Sequence, residues 1–322
     1  MRIEHVLLGL LASTAAAAAC ASSKDNAAAA RDGGSDALGT SADSGRPDAP
    51  AAVDASFDAV VPCTAPDVLL VLDRTLGMRT RPDGTRPLDT PADHAESRWY
   101  LAIQAVKAVT AAPADAPIRF GLELFPRDPG GAQCVTLSEG ISGKAATNLA
   151  CEEAELTVPL ASSAGATIAS ALDPETTRLC GSAPLAAALG FAGQKLALDA
   201  LPGRAQVVVV VTDGNDTCQA DALAATQVLA AAGARMYFVG FGQPAAPDGG
   251  GSGLNVGLLN SLACAGQTAK GFEAACQKGE AGTGYVARDP TGSRLFYGAT
   301  TGDDLSKALK SILASACCGC GK

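Results

Sequence analysis

The chain has 322 residues, and its 33 Asp and Glu outnumber its 24 Lys and Arg, which gives a formal net charge of −9. This acidic balance argues against binding to nucleic acid, which needs clustered basic side chains, and against adsorption to anionic lipid. His5 lies near the start, so His94 is the one histidine in the body of the chain. HExxH zinc sites and Ser-His-Asp triads are therefore disfavoured. His94 lies beside Asp93 in a polar stretch, so we expect it to be solvated.

Residues 1–19 have the pattern of an export signal. Arg2 gives the start a positive charge, residues 6–12 are apolar, and residues 15–19 are all alanine. A charged start, an apolar middle and a small-residue cleavage region are typical of a secretory signal peptide. The apolar stretch is too short to cross a bilayer as a helix. We therefore expect an exported protein.

Cys20 directly follows this stretch of small residues. Residues 17–20, Ala-Ala-Ala-Cys, resemble a bacterial lipobox, in which the cysteine becomes the lipidated first residue, although that motif prefers leucine where Ala17 stands. Ordinary cleavage after Ala19 or Ala21 is the alternative. The sequence thus predicts a lipoprotein of the bacterial cell envelope, on the periplasmic or surface side, or a secreted protein if Cys20 is not lipidated.

Residues 21–62 are mostly Ala, Asp, Ser, Gly and Pro, without sustained hydrophobic periodicity. Such a segment cannot bury enough apolar surface to become ordered, so we expect a flexible tether. The predicted organisation is a signal peptide at 1–19, a lipid-anchor cysteine and tether at 20–62, and a globular domain with a cysteine-rich C-terminus at 63–322. The anchor would be the protein's one contact with a membrane.

The chain has 11 cysteines. If Cys20 carries lipid, an even number remains, as expected of an exported protein whose cysteines form disulfides. The last three cysteines could instead bind zinc, although they lack paired CxxC spacing. The disulfide candidates are Cys63, Cys134, Cys151, Cys180, Cys218, Cys264, Cys276, Cys317, Cys318 and Cys320.

From residue 63 onward, apolar strand patterns alternate with helical patterns, which predicts an α/β fold with a doubly wound, mostly parallel sheet flanked by helices. Residues 67–72 are an apolar run that ends at Asp73, as expected of a strand buried on both faces. Residues 205–211 contain five consecutive valines and lead to Asp213. The other predicted elements are strands at 118–125, 234–241 and 295–299 and helices at 97–112, 162–172, 184–198, 220–232, 255–263 and 303–314.

Six stretches of the chain resemble parts of the von Willebrand factor type A domain, in that family's order. They are DVLLVLDRTLGM (67–78), CGSAPLAAAL (180–189), VVVVVTDGNDTC (207–218), MYFVGFG (236–242), LNSLACAGQT (259–268) and FYGATTGDDLSKALKSI (296–312). The first is similar to the family's first strand and metal-site loop, Asp-x-Ser-x-Ser. The second resembles the loop in which Thr-Pro precedes a helix, and the third resembles the strand that ends in Asp-Gly. The resemblance covers most of residues 66–313 and implies the family's Rossmann-like fold.

The resemblance also implies a site where the strands ending at Asp73 and Asp213 lie side by side. Two facing carboxylates repel each other unless a cation neutralises them. In the family this is a metal-ion-dependent adhesion site, where Mg²⁺ or a similar ion takes hydroxyl oxygens from two serines and a threonine, supported by the aspartates. A carboxylate of the partner protein then completes the coordination.

This sequence departs from the family's pattern at two positions. Gly77 stands where the second serine should be and Ala183 where the loop threonine should be, and neither has a side-chain oxygen. We expect a degenerate site that holds one Mg²⁺ or similar divalent cation weakly. The alternative is that the two aspartates only cap strand ends and bind water. The candidate metal ligands are Asp73, Thr75, Ser182 (after a small loop shift) and Asp213.

The implied site also suggests a disulfide pattern, which spacing alone does not determine. Our hypothesis pairs Cys180 with Cys218 to join the two site loops, and Cys63 with a C-terminal cysteine to tie the domain ends. Two further pairs would each close a local loop, namely Cys134–Cys151 and Cys264–Cys276.

The resemblance implies a binding or adhesion module, not an enzyme, that recognises a protein partner of unknown identity offering an Asp or Glu carboxylate. A metal-independent interaction scaffold is the first alternative. The second is a Mg²⁺-dependent phosphatase of the haloacid dehalogenase type, which also places aspartates at the carboxyl ends of parallel strands. That family requires Asp-x-Asp, and Thr75 occupies its second position.

Overall fold

The computed structural model describes residues 65–87, 90–111, 118–130, 133–141, 151, 154–199, 201–244, 253–280 and 284–318. The predicted export signal, Cys20 and the tether lie outside these residues, as do Cys63 and Cys320. Within the described part of the chain, no helix has the length and apolar character needed to cross a membrane.

A six-stranded sheet forms the centre of the domain. The described residues contain these six strands and four others that form two small sheets. In chain order they are β1 (Asp67–Asp73), β2 (Arg119–Phe125), β3 (Cys134–Val135), β4 (Glu155–Ala161), β5 (Leu179–Cys180), β6 (Gln206–Thr212), β7 (Arg235–Phe241), β8 (Cys276–Lys278), β9 (Tyr285–Ala287) and β10 (Tyr297–Ala299). The central sheet has the order β10-β7-β6-β1-β2-β4, while β3 pairs with β5 and β8 with β9. Its pairs are parallel except that β4 runs antiparallel to β2. The predicted mostly parallel sheet is confirmed.

Helices cover both faces of this sheet. They are α1 (Pro91–His94), α2 (Arg98–Ala111), α3 (Leu137–Ile141), α4 (Ala164–Ala171), α5 (Leu185–Asp199), α6 (Ala222–Ala231), α7 (Val256–Ala265), α8 (Phe272–Ala275) and α9 (Gly302–Cys318), with a 3₁₀ helix at Leu76–Arg79. One core contains buried side chains of α2, α4 and α9, and the other contains those of α5, α6 and α7. The domain is therefore doubly wound, as predicted.

Alternate residues of β1 and β6 contribute to opposite cores, as the two-residue period of a strand requires. Leu70 and Val209 pack into the core with α2, α4 and α9. Val71 and Val210 pack into the core with α5, α6 and α7. Because both faces are covered, each strand appears in the sequence as an unbroken apolar run.

Side-chain caps explain where two of the flanking helices begin. Asp221 accepts a hydrogen bond from the Ala224 N–H (2.8 Å) at the start of α6. Asn255 accepts one from the Leu258 N–H (3.0 Å) at the start of α7. Each cap satisfies a backbone donor that the first turn of a helix leaves without a partner.

Two structural features were not predicted. The edge strand β4 contains Pro159, and proline is tolerated in a sheet only where its missing N–H is not needed, such as an edge. His94 is buried, and its Nδ1 lies 3.2 Å from Oε2 of Glu175. The expectation of a solvated His94 was wrong, because a residue distant in sequence covers it.

Three disulfides are present in the described residues, Cys134–Cys180, Cys151–Cys218 and Cys264–Cys276. The predicted pair Cys264–Cys276 is confirmed. The predicted pairs Cys134–Cys151 and Cys180–Cys218 were wrong, because β3 and β5 pair in antiparallel fashion and place Cys134 opposite Cys180. Cys151 is then linked to Cys218, in the loop after β6. The predicted bond of Cys63 lies outside the described residues.

Candidate functional site

The order of the strands creates a crevice at the middle of the sheet. β1 and β6 are neighbours, and the chain continues from β1 to β2 and β4 on one side and from β6 to β7 and β10 on the other. Loops that follow two such strands diverge and leave a crevice at the carboxyl ends. Asp73 is the last residue of β1, and Asp213 directly follows β6. The fold thus brings the two predicted aspartates to one edge, which we call the carboxyl edge.

Asp73 is fully buried, and both of its carboxylate oxygens accept hydrogen bonds. The backbone N–H of Thr75 donates to Oδ1 (2.8 Å). The hydroxyl of Thr212 donates to Oδ2 (2.6 Å). Burial and the nearby charge of Asp213 raise the pKa of Asp73 to about 7, although the hydrogen bonds oppose this shift. The carboxylate therefore lies in an environment that disfavours its negative charge.

Asp213 is also buried, and it lies beside an arginine that the sequence analysis did not select. Its Oδ1 accepts a hydrogen bond from the Asn215 N–H (3.2 Å). Its Oδ2 lies 3.7 Å from Nη1 of Arg98, whose side chain is 0% exposed. Burial raises the pKa of Asp213, and the charge of Arg98 opposes that shift. Both partners of this ion pair are therefore shielded from solvent.

Arg98 is the first residue of α2, and its guanidinium lies between loops at the carboxyl edge. Its Nη1 is 3.5 Å from the carbonyl oxygen of Gly77, in the loop after β1. A Cβ at Gly242, the residue after β7, would lie 2.7 Å from Nη2 and 2.9 Å from Cζ. Gly242 also has a positive φ of 141°, which favours glycine. The guanidinium therefore packs directly on a glycine backbone.

Gly77 has no space for a side chain. A Cβ at this position would overlap Oδ2 of Asp213 and would lie 3.0 Å from its Cγ. The Asp213 carboxylate thus occupies the volume that the family's second serine would need. Position 77 therefore lacks a hydroxyl because the Asp213 side chain fills the space that the hydroxyl would need.

The remaining predicted ligands lie at the same edge. Thr75 forms a parallel bridge with Cys180, whose N–H donates to the carbonyl oxygen of Arg74 (2.9 Å). The N–H of Ala183 donates to the hydroxyl of Thr217 (2.8 Å), in the loop after β6. The segment that contains Ser182 therefore runs between the loops that follow β1 and β6. Thr75 and Ser182 are both buried.

These residues do not fit the divalent cation that the resemblance implies. Position 77 has no room for a ligand, and Ala183 offers a methyl group. A guanidinium already lies against Asp213. The four predicted ligands are at most 6% exposed, so a carboxylate of a partner protein would have no open path to an ion held by them. The site residues remain predictions, and the donor set they form is poor for Mg²⁺, which requires near-octahedral oxygen coordination.

A second group of metal-ligating residue types lies near the first. Among the described residues, Asp128, Cys134 and Cys180 each offer one ligand atom, and these atoms lie within 4.8 Å of one another. The two sulfurs form a disulfide, however, and only a thiolate binds metal well. Asp128 is in addition paired with Arg178 at 3.2 Å. The oxidised protein therefore has no thiolate to offer here.

An open pocket of about 380 Å³ also lies at the carboxyl edge, and we call it the edge pocket. Its lining includes Arg81, Pro82, Glu96, Leu101, Gln243 and Thr301. Arg81 contacts Glu96 (2.5 Å), which also lines the pocket, and lies 3.3 Å from Asp93. A larger cavity of about 560 Å³ lies at the other end of β7, around Arg235 and Tyr237. The edge pocket is thus the cavity that adjoins the predicted site.

Residues 149–274 match the family model of the von Willebrand factor type A domain. The family indicated by the sequence motifs is confirmed over these residues. A comparison with curated proteins found no match.

Solved structures that match the chain have low sequence identity to it. Conserved hypothetical protein BatB from Bacteroides thetaiotaomicron is 17% identical, with 56% of this chain and 68% of that chain covered and a TM-score of 0.38. Proximal thread matrix protein 1 from the mussel byssus is 13% identical, with coverage of 79% and 49% and a TM-score of 0.47. The manganese-loaded TRAP protein of Plasmodium vivax is 16% identical, with coverage of 77% and 73% and a TM-score of 0.45.

Proposed function

The chain contains a von Willebrand factor type A domain, and we propose that it is an exported binding module that recognises a protein partner with the carboxyl edge of its sheet. The observation that carries this proposal is the family match over residues 149–274, which include the strand and loop of Asp213. The crevice between β1 and β6 is where doubly wound folds bind their ligands.

Export is supported by the disulfides. Three bonds among the described cysteines are expected in an oxidising compartment and are rare in the bacterial cytosol. We propose that residues 1–19 are the signal peptide, that Cys20 carries lipid, and that residues 20–62 tether the domain at 63–322 to a membrane. A Cys20→Ala variant should move from the membrane fraction to the soluble exported fraction. An unchanged membrane fraction would contradict the lipid anchor.

A catalytic role is not supported by the geometry of Asp73. A phosphatase of the haloacid dehalogenase type would need this carboxylate as an accessible nucleophile. Asp73 is 0% exposed, and its two oxygens accept hydrogen bonds from Thr75 and Thr212. The second aspartate of that family's motif is replaced by Thr75. We therefore place function in binding.

We propose that the partner contacts the loops around the crevice, because the aspartates themselves are buried. The edge pocket is the accessible part of this edge, and it combines an apolar side chain, Leu101, with the charged Arg81 and Glu96. A pocket of this kind accepts a single side chain of a protein partner and leaves the surrounding loops to form a polar rim. Gln243 lines the edge pocket, and its side chain is exposed to solvent.

The test is a comparison of two variants with the same substitution. Gln243→Arg places a long charged side chain in the edge pocket, and Gln194→Arg places one on the exposed face of α5. The full chain, immobilised, is exposed to cell-envelope proteins, and retained proteins are identified by mass spectrometry. The dissociation constant is then measured with the purified partner. Gln243→Arg should weaken binding about tenfold or more, as expected for disruption of a central contact.

Gln194→Arg should bind as the unchanged protein does. Equal binding by all three proteins would contradict docking at the edge pocket. If the unchanged chain retains no protein specifically, the proposed binding function itself fails.

A further inference from the structure

We propose that Arg98 is a built-in cation that offsets the negative charge of the buried Asp73–Asp213 pair in place of a divalent metal ion, and that the domain therefore works without metal. The positive charge that the family obtains from solution is supplied here by the chain itself. Arg98 is in this sense a positioning residue that offsets part of the negative charge buried in the crevice.

The first step is the charge of the crevice. Asp73 and Asp213 are 0% and 1% exposed and lie at the carboxyl ends of neighbouring strands, so water cannot screen their repulsion. Carboxylates buried in this way need a nearby positive charge or must give up their own. The charge of Arg98 acts on both aspartates. Its guanidinium is close enough to Asp213, at 3.7 Å, to form an ion pair.

The second step is the fit of the guanidinium. Arg98 is fully buried, so its own charge is equally costly unless it is paired. A side chain at Gly242 would collide with the guanidinium, and one at Gly77 would collide with the carboxylate of Asp213. Two glycines on separate loops thus leave the volume that the arginine–aspartate pair occupies. The glycine at position 77, where the family has a serine, thus makes room for the Asp213 carboxylate that pairs with Arg98.

The third step is the consequence for metal. A divalent ion beside Asp213 would meet the charge of Arg98 and would find no side-chain oxygen at position 77 or 183. Mg²⁺ gives up its waters reluctantly and needs well-placed oxygens in return. A partner carboxylate would have no metal ion to coordinate. Recognition must therefore use the loops and not a shared cation.

The experiment compares four versions of the full chain by thermal unfolding, in EDTA and in millimolar Mg²⁺ or Mn²⁺. They are the unchanged protein, Arg98→Met, Arg98→Met/Asp213→Asn and Arg204→Met. Arg204 is the matched control, since it also pairs with a buried aspartate, Asp67, at the opposite end of β1. No partner protein is present, so the result does not depend on the function proposed above.

The unchanged protein should unfold at the same temperature with and without metal. Arg98→Met should unfold about 10 °C lower in EDTA, because it leaves two buried carboxylates without a cation. The second substitution, Asp213→Asn, should recover more than half of that loss, since it removes the excess negative charge. Metal should raise the midpoint of Arg98→Met by several degrees and should not affect the double variant or Arg204→Met.

Two results would overturn the role of Arg98. One is a rise in the unfolding temperature of the unchanged protein with Mg²⁺ or Mn²⁺. The other is further destabilisation when Asp213→Asn is added to Arg98→Met. If Arg98→Met does not fold, the double variant provides the test. It should fold if the role of Arg98 is to offset negative charge. A double variant that also fails to fold would contradict the inference.

Discussion

The two ends of β1 each hold a buried aspartate, and they balance its charge differently. At the amino end, the carboxylate of Asp67 lies 3.0 Å from Nη1 of Arg119 and also contacts Nε of Arg204. At the carboxyl end, Asp73 and Asp213 lie near Arg98. One carboxylate thus faces two guanidinium groups at one end, and two carboxylates face one guanidinium at the other.

We interpret the amino end, where Asp67 pairs with Arg119 and Arg204, as a structural clamp, and the carboxyl end as the candidate binding edge. The Asp67 cluster joins the start of β1 to β2 and to the loop before β6, and Arg204 also donates to the Pro66 carbonyl oxygen (3.0 Å). Its two arginines are partly exposed, which lowers their desolvation cost. The carboxyl end retains excess negative charge in a fully buried place.

The largest expected effect tests the packing of the carboxyl end. Gly77→Ser would restore the hydroxyl of the family's motif, but its Cβ would overlap the Asp213 carboxylate. We expect a loss of about 4 kcal/mol in the free energy of unfolding, because a buried ion pair must move to make room. Chemical denaturation of the full chain measures this loss.

Gly190→Ser is the control for this substitution. Position 190 lies on α5, and a Cβ there meets no atom within 4 Å. We expect its effect to stay within about 0.5 kcal/mol, as is usual for exposed sites. Similar stability of Gly77→Ser and Gly190→Ser would show that the Asp213 carboxylate can leave its position freely, and the comparison of the two ends would lose its basis.

Much of the fold could be predicted because buried parallel strands have a simple pattern. β1 and β6 are unbroken apolar runs, and their predicted bounds differ from the observed ones by one residue. The antiparallel additions could not be found in this way. β3 and β5 have two residues each and exist through their mutual pairing, which brings Cys134 opposite Cys180. Local patterns do not contain such long-range information.

The candidate site could be predicted only in part. Asp73 and Asp213 were visible as the residues that end two apolar strands, and the family resemblance implied that these strands lie side by side at a switch point. Arg98 was not visible, since an arginine in the first turn of a helix is usually solvated. Its burial depends on Gly77 and Gly242, which are remote from it in sequence. A glycine in place of an expected ligand was the available signal that another group fills the space.

A fourth buried acid sharpens the comparison, because no arginine among the described residues forms an ion pair with it. Glu123 lies in the middle of β2 and is fully buried, and within the described residues neither of its carboxylate oxygens has a hydrogen-bond partner. Burial raises its pKa from 4.5 to about 9, while the charge of Lys195 opposes the shift. The folded protein therefore keeps a proton on Glu123 that the unfolded chain releases above its ordinary pKa.

The sign of the pH dependence follows from this proton. Where the folded state binds more protons than the unfolded state, the free energy of unfolding falls as the pH rises. This contribution is complete below the unfolded pKa and is lost progressively as the pH rises toward the folded pKa. Glu123→Gln should remove a decline of about 3 kcal/mol between pH 5 and pH 8. Urea unfolding at both pH values measures it, and an equal decline in the two proteins would contradict it.

The next largest effect is expected from a substitution that removes the ion pairs of the clamp at the amino end. Asp67→Asn removes the negative charge that faces Arg119 and Arg204 and leaves two guanidinium groups beside a neutral side chain. We expect a loss of about 2 kcal/mol, less than for a fully buried pair, because both arginines reach solvent. Denaturant unfolding at neutral pH tests this, and a loss below that of Asp73→Asn would contradict the assignment of the clamp.

The smallest effect is expected at the carboxyl end of the same strand. In Asp73→Asn, the amide oxygen can still accept from the Thr75 N–H, and the amide nitrogen can donate to Oγ1 of Thr212 once that hydroxyl rotates. The substitution also relieves the repulsion between residue 73 and Asp213, which lie near a single arginine. We therefore expect a change within about 1 kcal/mol of the unchanged protein. Because Asp67→Asn is the same chemical change at the other end of β1, the two free energies of unfolding, measured side by side, report the charge balance of each end directly. A large loss for Asp73→Asn would mean that its negative charge is required, and would contradict the excess of negative charge assigned to this end.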